Sequence, residues 1–159
     1  MYLSELLKIG TNILREKKID SYQIDTELML AKIVNTSREK ILINENINID
    51  NKKVKNFKKM IERRGNSSEP MAYILNKGEF WNTDLFVNKD VLIPRPETEL
   101  VIEEVIKLIN HNSSKSILDV GTGSGCIIIS LLKERPNCFA TAIDKSKKAL
   151  KVAKYNAKI

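Results

Sequence analysis

The chain has 159 residues, with 27 lysines and arginines against 20 acids, a formal charge of +7 and 42% hydrophobic content. This suits one well-buried domain, or a small domain plus part of another, and excludes a disordered or low-complexity chain. No apolar run approaches the roughly 20 residues that span a bilayer, and the start Met1–Lys8 reads as an amphipathic helix rather than a signal peptide, so the expected location is cytoplasmic.

Leu3, Leu6, Leu7, Gly10, Ile13 and Leu14 recur at helical spacing and predict a first helix. Asp20-Ser21 offers an N-cap for a second, with Ile24, Leu28, Ala31 and Ile33 or Val34 along one face. Asn35-Thr36-Ser37 turns into a shorter helix holding Ile41 and Leu42. Asp50 can cap another with Val54, Phe57, Met60 and Ile61 inside, and Gly65 is expected to end it. Short helices joined by short loops make a helical bundle over residues 1–69. Its densest basic segment is Lys52, Lys53, Lys55, Lys58, Lys59, Arg63 and Arg64, with Glu62 the only acid among them. Phe57 is the only aromatic residue there and belongs to the apolar stripe. The segment therefore reads as the solvated face of a helix, and direct nucleic-acid binding by base stacking is not expected.

Gly65–Pro70 breaks the helical pattern. Tyr73-Ile74-Leu75, Glu79-Phe80-Trp81 and Leu85-Phe86-Val87 are β-prone, with Asn82-Thr83-Asp84 as a turn between the last two. The expectation is a β-hairpin over residues 70–93 that serves as linker and lid, with Trp81 as a packing residue. Pro94-Arg95-Pro96-Glu97-Thr98-Glu99-Leu100 opens the next helix. Pro96 suits the first turn, Glu97 and Glu99 favour the positive end of the helix dipole, and Val101, Val105 and Leu108 form the apolar stripe. Arg95, held stiffly between two prolines, can present its charge to a ligand carboxylate. His111, the only histidine, falls in a polar loop and is not expected to be catalytic.

Strand Ser116–Val120, a glycine turn, helix Cys126–Glu134, strand Cys138–Asp144 and a helix capped by Ser146 complete a β-α-β-α run, which argues for a parallel sheet. Cys126 and Cys138 fit neither a disulfide framework nor a zinc site and are expected to be buried thiols; no metal is expected. The turn Gly121-Thr122-Gly123-Ser124-Gly125 lets backbone N–H groups approach a ligand closely, and Asp144, at the tip of the next strand, can accept hydrogen bonds from a ribose diol. Dinucleotide sites place a third glycine at the position held here by Cys126, so the spacing departs from that pattern.

Asp119-Val120-Gly121-Thr122-Gly123-Ser124-Gly125, with Asp144 nineteen residues beyond Gly125, resembles the first motif of class I S-adenosylmethionine methyltransferases. Glu69–Leu75, Glu79-Phe80-Trp81 and Val91–Leu100 narrow the resemblance to the HemK-type glutamine N5-methyltransferases that modify peptide chain release factors. The resemblance implies an α/β chain: an N-terminal helical substrate-docking domain (1–69), a β-hairpin linker (70–93) and the start of a Rossmann-like methyltransferase domain (94–159). It implies S-adenosylmethionine as cofactor, held by Asp119, Gly121, Thr122, Gly123, Ser124, Gly125, Asp144, Arg95 and Glu97. Gly121, Gly123 and Gly125 would pass beneath the methionine part and ribose, and Asp144 would hold the ribose hydroxyls. The implied reaction is methylation of the glutamine in the Gly-Gly-Gln loop of a release factor.

A carboxamide nitrogen is a poor nucleophile because its lone pair is delocalised into the carbonyl. It must be aligned with the sulfonium methyl and its developing charge met by acceptor oxygens. The family does this with an Asn-Pro-Pro-Tyr motif. None of the four prolines here, Pro70, Pro94, Pro96 and Pro136, lies in one. The chain is therefore expected to be an N-terminal portion of the enzyme, inactive alone and weak in cofactor binding. The open edges and apolar faces of a two-strand remnant would favour partial disorder after about Lys115, or self-association. Two alternatives stand beside this: a non-catalytic fragment that docks on the release factor, and a class I enzyme acting on a nucleic-acid base amino group. Dinucleotide-dependent redox chemistry is a distant third.

Overall fold

The computed structural model describes residues 1–43 and 46–159 and divides into two units, Met1–Leu75 and Asn76–Ile159.

The first unit is helical. Helices α1 (Leu3–Glu16), α2 (Tyr22–Val34), α3 (Arg38–Ile43), α4 (Asn51–Ser67) and α5 (Met71–Leu75) enclose a core containing Leu3, Leu6, Leu14, Met29, Leu30, Phe57 and Ile61. Asp50 caps α4 as its position predicts, its carboxylate accepting from the Lys53 amide at 2.9 Å. Ser21 holds the N-cap position of α2 but does not cap it: its hydroxyl donates to Asp25 at 2.8 Å. Ile24, expected on the buried face of α2, is 48% exposed, while Asp25, Thr26 and Glu27 are buried. The acids are tolerated because arginines meet them. Arg64 pairs with Asp25 at 2.7 Å and Arg38 with Glu27 at 2.6 Å. Two residues of the basic segment are thus structural, since Arg63 also forks onto the Glu69 carboxylate at 2.7 and 2.8 Å.

Two expectations fail here for physical reasons. Gly65 does not end α4, which runs on to Ser67 and stops at Ser68 in a left-handed conformation. Gly65 instead permits close approach: a Cβ there would sit 3.2 Å from Lys17 Cγ. Tyr73-Ile74-Leu75, expected as β structure within the 70–93 linker, forms the end of α5. The amides of Tyr73 and Ile74 both donate to the Pro70 carbonyl, which starts a helical turn and buries Ile74.

The second unit opens with an antiparallel hairpin, β1 (Gly78–Phe80) and β2 (Thr83–Leu85), in which Phe80 pairs with Thr83. The turn is therefore Trp81-Asn82, not the expected Asn82-Thr83-Asp84. Both residues have positive φ, 46° and 53°, as the tight two-residue hairpin turn requires. Asparagine adopts this conformation readily; tryptophan does so at a cost. Trp81 is held there by its amide, which donates to Glu99 at 2.9 Å, and its indole N–H, which donates to Glu134 at 2.8 Å.

A 3-10 turn (Pro96–Thr98) precedes α6 (Glu99–Leu108), and Pro96 stands at its start. Then come β3 (Ser116–Val120), α7 (Cys126–Glu134), β4 (Phe139–Ile143) and α8 (Lys147–Asn156). Strands β3 and β4 are parallel, pairing from Ser116 with Phe139 to Val120 with Ile143. Helices α6 and α7 pack Ile102 and Leu131 against Phe80 and Leu85, with Ile117 of β3 alongside. On the opposite face of β3 and β4, Leu118, Val120, Phe139 and Ile143 are exposed. Ser146 caps α8, accepting from the Ala149 amide at 3.2 Å.

Candidate functional site

At the end of β3 the chain leaves the sheet through three glycines with positive φ: Gly121 (83°), Gly123 (55°) and Gly125 (84°). Such values are strained for any residue with a Cβ. The glycines differ in what surrounds them. A Cβ on Gly121 would meet nothing within 4 Å, and one on Gly123 only the Gly121 carbonyl at 4.0 Å. Their Cα faces open onto free space. A Cβ on Gly125 would meet Ile129 Cδ1 at 2.9 Å and Ala153 Cβ at 3.3 Å, so this glycine lets α7 and α8 pack closely.

The turn is fixed to the tip of β4. The amides of Gly121 and Thr122 both donate to the Ile143 carbonyl, at 2.8 and 3.0 Å, and the Gly125 amide donates to the Thr122 carbonyl at 2.8 Å. Asp144 ties the two strand ends together: one carboxylate oxygen accepts from the Gly123 amide at 2.9 Å, the other from the Ser146 amide at 2.8 Å. Those two bonds, the one from Ser146 first, hold its carboxyl below the ordinary aspartate value. An ionised carboxylate has about four lone-pair sites, so each Asp144 oxygen keeps capacity for a hydroxyl donor. Val120, Gly121, Ile143, Asp144 and Lys145 line a concavity of about 540 Å³ at this end of the sheet.

Two buried polar atoms here have no partner: Thr122 Oγ1 and Asp119 Oδ2. Buried polar groups are almost always satisfied, so orphans beside a glycine turn are available to a ligand. Thr122 and Ser124 are themselves buried. The structure thus brings together Asp119, Gly121, Thr122, Gly123, Ser124, Gly125 and Asp144. Arg95 and Glu97 are exposed at the 3-10 turn and do not line the concavity. Cys126 is half-buried at the start of α7, and burial pushes its thiol upward, away from nucleophilic chemistry. Cys138 is buried, and no metal-binding cluster occurs among the described residues.

Sequence reasoning missed Asn156. It is 3% exposed at the end of α8; its Nδ2 donates to the carbonyls of Ser124 (2.8 Å) and Phe86 (2.9 Å), and its Oδ1 accepts from the Phe86 amide (2.7 Å). The available signal was a polar residue on an apolar helical stripe, since Ala149, Val152, Ala153 and Asn156 fall at i, i+3, i+4 and i+7.

Comparison with known proteins gives a consistent result for both units. Residues 5–75 match the family described as PrmC N-terminal domain, and residues 111–159 match a methyltransferase domain family. A release factor glutamine methyltransferase of Leptospira interrogans is 41% identical over 154 residues, covering 96% of this chain and 53% of that protein. One of Coxiella burnetii is 39% identical over 136 residues, covering 86% and 49% respectively. A bifunctional methyltransferase of Rickettsia prowazekii is 36% identical over 173 residues, covering 98% of this chain and 33% of that protein. The chain spans about half the length of the release factor glutamine methyltransferases it matches. With a helical unit that matches the PrmC N-terminal domain and a second unit that matches a methyltransferase domain, the chain is similar over nearly its whole length to release factor glutamine methyltransferases.

Proposed function

We propose that the glycine turn and Asp144 hold S-adenosylmethionine, and that the protein carrying them methylates the glutamine side chain in the Gly-Gly-Gln loop of a peptide chain release factor. The observation that carries the reading is the pairing of Asp144 with the turn. Its carboxylate is oriented by the Gly123 and Ser146 amides beside glycines whose Cα faces open onto free space.

The residues fit the cofactor chemically. Gly121 and Gly123 leave room for the methionine part and ribose to lie against bare backbone. Asp144, ionised at neutral pH, accepts from the ribose hydroxyls. Asp119 Oδ2 and Thr122 Oγ1 offer a buried acceptor and a hydroxyl to the polar end of the ligand. Ser124 and Gly125 carry the turn into α7; Arg95 and Glu97, exposed at the 3-10 turn before α6, stand outside this set. The cofactor supplies an electrophilic methyl group on a sulfonium centre. The chain's own contribution is to bind and orient that group.

Alignment of the carboxamide nitrogen needs acceptor oxygens that these 159 residues do not offer in an Asn-Pro-Pro-Tyr motif. We therefore assign this chain the cofactor half of the site and the helical unit the docking of the release factor in the cytoplasm. The exposed Leu118, Val120, Phe139 and Ile143 support self-association of the isolated chain. No described helix is long and apolar enough to cross a membrane.

The test is radiolabelled methyl transfer to purified release factor. The complete gene product should label the release factor and not nucleic acid, and the 159-residue chain alone should label neither. Turnover by the chain alone overturns the division of labour, and labelling of nucleic acid overturns the substrate. Docking is checked separately by capture of release factor on the immobilised chain, which should survive without turnover.

A further inference from the structure

We infer that Asn156 is a positioning residue that couples the exit of the β-hairpin to the cofactor turn. The inference rests on the cofactor reading above and adds to it a route by which the hairpin and the cofactor act on each other.

One buried amide group serves two separate stretches of chain. Phe86 follows β2 at the exit of the hairpin. Ser124 sits inside the glycine turn and is 2% exposed. Asn156 gives both Nδ2 hydrogens to the carbonyls of these two residues and takes the Phe86 amide on Oδ1. The amide orientation is set by chemistry: rotated by half a turn, it would aim an oxygen at two carbonyls and a nitrogen at an N–H.

Helix α8 reinforces the link. Ala153, three residues before Asn156 and thus on the same helix face, is the surface that the Cα of Gly125 packs against. The Ser124-Gly125 peptide is therefore gripped by contact at Gly125 and by hydrogen bonding at Ser124, both from one helix. Tyr155 adds an edge contact to the Phe86 ring, with centroids 5.1 Å apart. A shift of the hairpin exit pulls on Phe86, then on Asn156, then on Ser124. Binding linkage makes the effect reciprocal, so a ligand that orders the glycine turn also orders the hairpin exit.

Two substitutions separate the roles. Asn156→Ala removes all three bonds. Asn156→Asp keeps an acceptor for the Phe86 amide but offers no donor to Ser124. The experiment uses the full 159-residue chain and its two variants, titrated with S-adenosylhomocysteine to millimolar concentration. Amide shifts give the affinity, and hydrogen exchange is followed at Phe86, Gly123 and Gly125, with Phe139 and Thr141 of the sheet, whose amides face the partner strand, as references.

In the unsubstituted chain the ligand should slow exchange at Phe86 as well as in the turn. Both variants should bind roughly tenfold more weakly, as expected for loss of a buried hydrogen bond of about 1.4 kcal/mol. Without ligand, both should exchange faster at Gly123 and Gly125 than the sheet references do. Only Asn156→Asp should keep the Phe86 amide slow. A purely structural role would accelerate turn and sheet amides together and leave affinity unchanged in the folded molecules; that result, or ligand protection of Phe86 in Asn156→Ala, overturns the coupling. Absence of ligand shifts at Gly121–Gly125 in the unsubstituted chain counts against the cofactor reading. In that case faster turn exchange in the variants still decides whether Asn156 positions the turn.

Discussion

Gly125→Ala and Gly121→Ala should have opposite consequences although their backbones are alike. The two φ values are 84° and 83°, so a Cβ imposes nearly the same left-handed strain at each, about 1–2 kcal/mol. The reduced freedom of the unfolded chain offsets part of that, by about 0.4–1 kcal/mol, and is also equal at the two sites. Their difference isolates packing. At Gly125 the new methyl would stand 2.9 Å from Ile129 Cδ1 and 3.3 and 3.4 Å from Ala153 Cβ and Cα. The Ile129 methyl is a side-chain end and can turn away, but the Ala153 backbone cannot. We therefore take the lower part of the overpacking range, about 1–2 kcal/mol. At Gly121 the methyl enters open space and adds no such cost. Trp81 is the only tryptophan in the chain and lies in the second unit, so its fluorescence reports the unfolding of that unit alone. With a urea slope of about 1 kcal/mol per molar, the Gly125→Ala midpoint should fall about 1–2 M below that of Gly121→Ala. Gly121→Ala should remain the more stable variant yet lose ligand affinity, because its methyl occupies the space proposed for the cofactor. Equal midpoints, or a less stable Gly121→Ala, would refute the distinct roles given to the two glycines.

Three further outcomes follow from the geometry. Asp25→Ala leaves Arg64 without its carboxylate inside the helical unit. It should cost about 3 kcal/mol, the low end for a broken buried pair because Arg64 keeps some solvent access, and so speed exchange at the Met29 and Leu30 amides about a hundredfold. Glu99→Ala removes the acceptor that holds the Trp81 amide at positive φ. It should destabilise the second unit by about 1 kcal/mol and shift Trp81 emission to the red. Asp144 has a depressed folded-state pKa, so its contribution to ordering the turn is present above the unfolded value and lost as pH falls through the folded one. Carboxyl resonances should show it titrating below the ordinary aspartate value, with the Gly123 amide shift following the same curve; Asp144→Asn should abolish that curve.

How much the sequence revealed depended on the range of the interaction that decides each element. Ser116–Val120 and Cys126–Glu134 take the predicted bounds because apolar runs punctuated by glycine define them locally. The hairpin was visible as β-prone residues, but its turn was not. Placing positive φ on Trp81 depends on Glu99 and Glu134, which lie 18 and 53 residues away. Tyr73-Ile74-Leu75 is too short for periodicity to separate strand from helix, and Pro70 decides it. The Asp25–Arg64 pair spans 39 residues and contradicts the simple expectation that α2 buries Ile24. In the site, Asp119, the turn and Asp144 converge because strand ends and glycines fix them. Asn156 escaped notice because its partners are backbone atoms, which carry no residue signature.

The central claim is that the turn and Asp144 form a cofactor site, and titration of the 159-residue chain with S-adenosylmethionine, followed by amide resonances, tests it most directly. The account predicts saturable shifts at Gly121, Thr122, Gly123, Ser146 and neighbouring amides, weak in affinity and lost in Asp144→Ala. Shifts that avoid these residues, or that persist unchanged in Asp144→Ala, would contradict it.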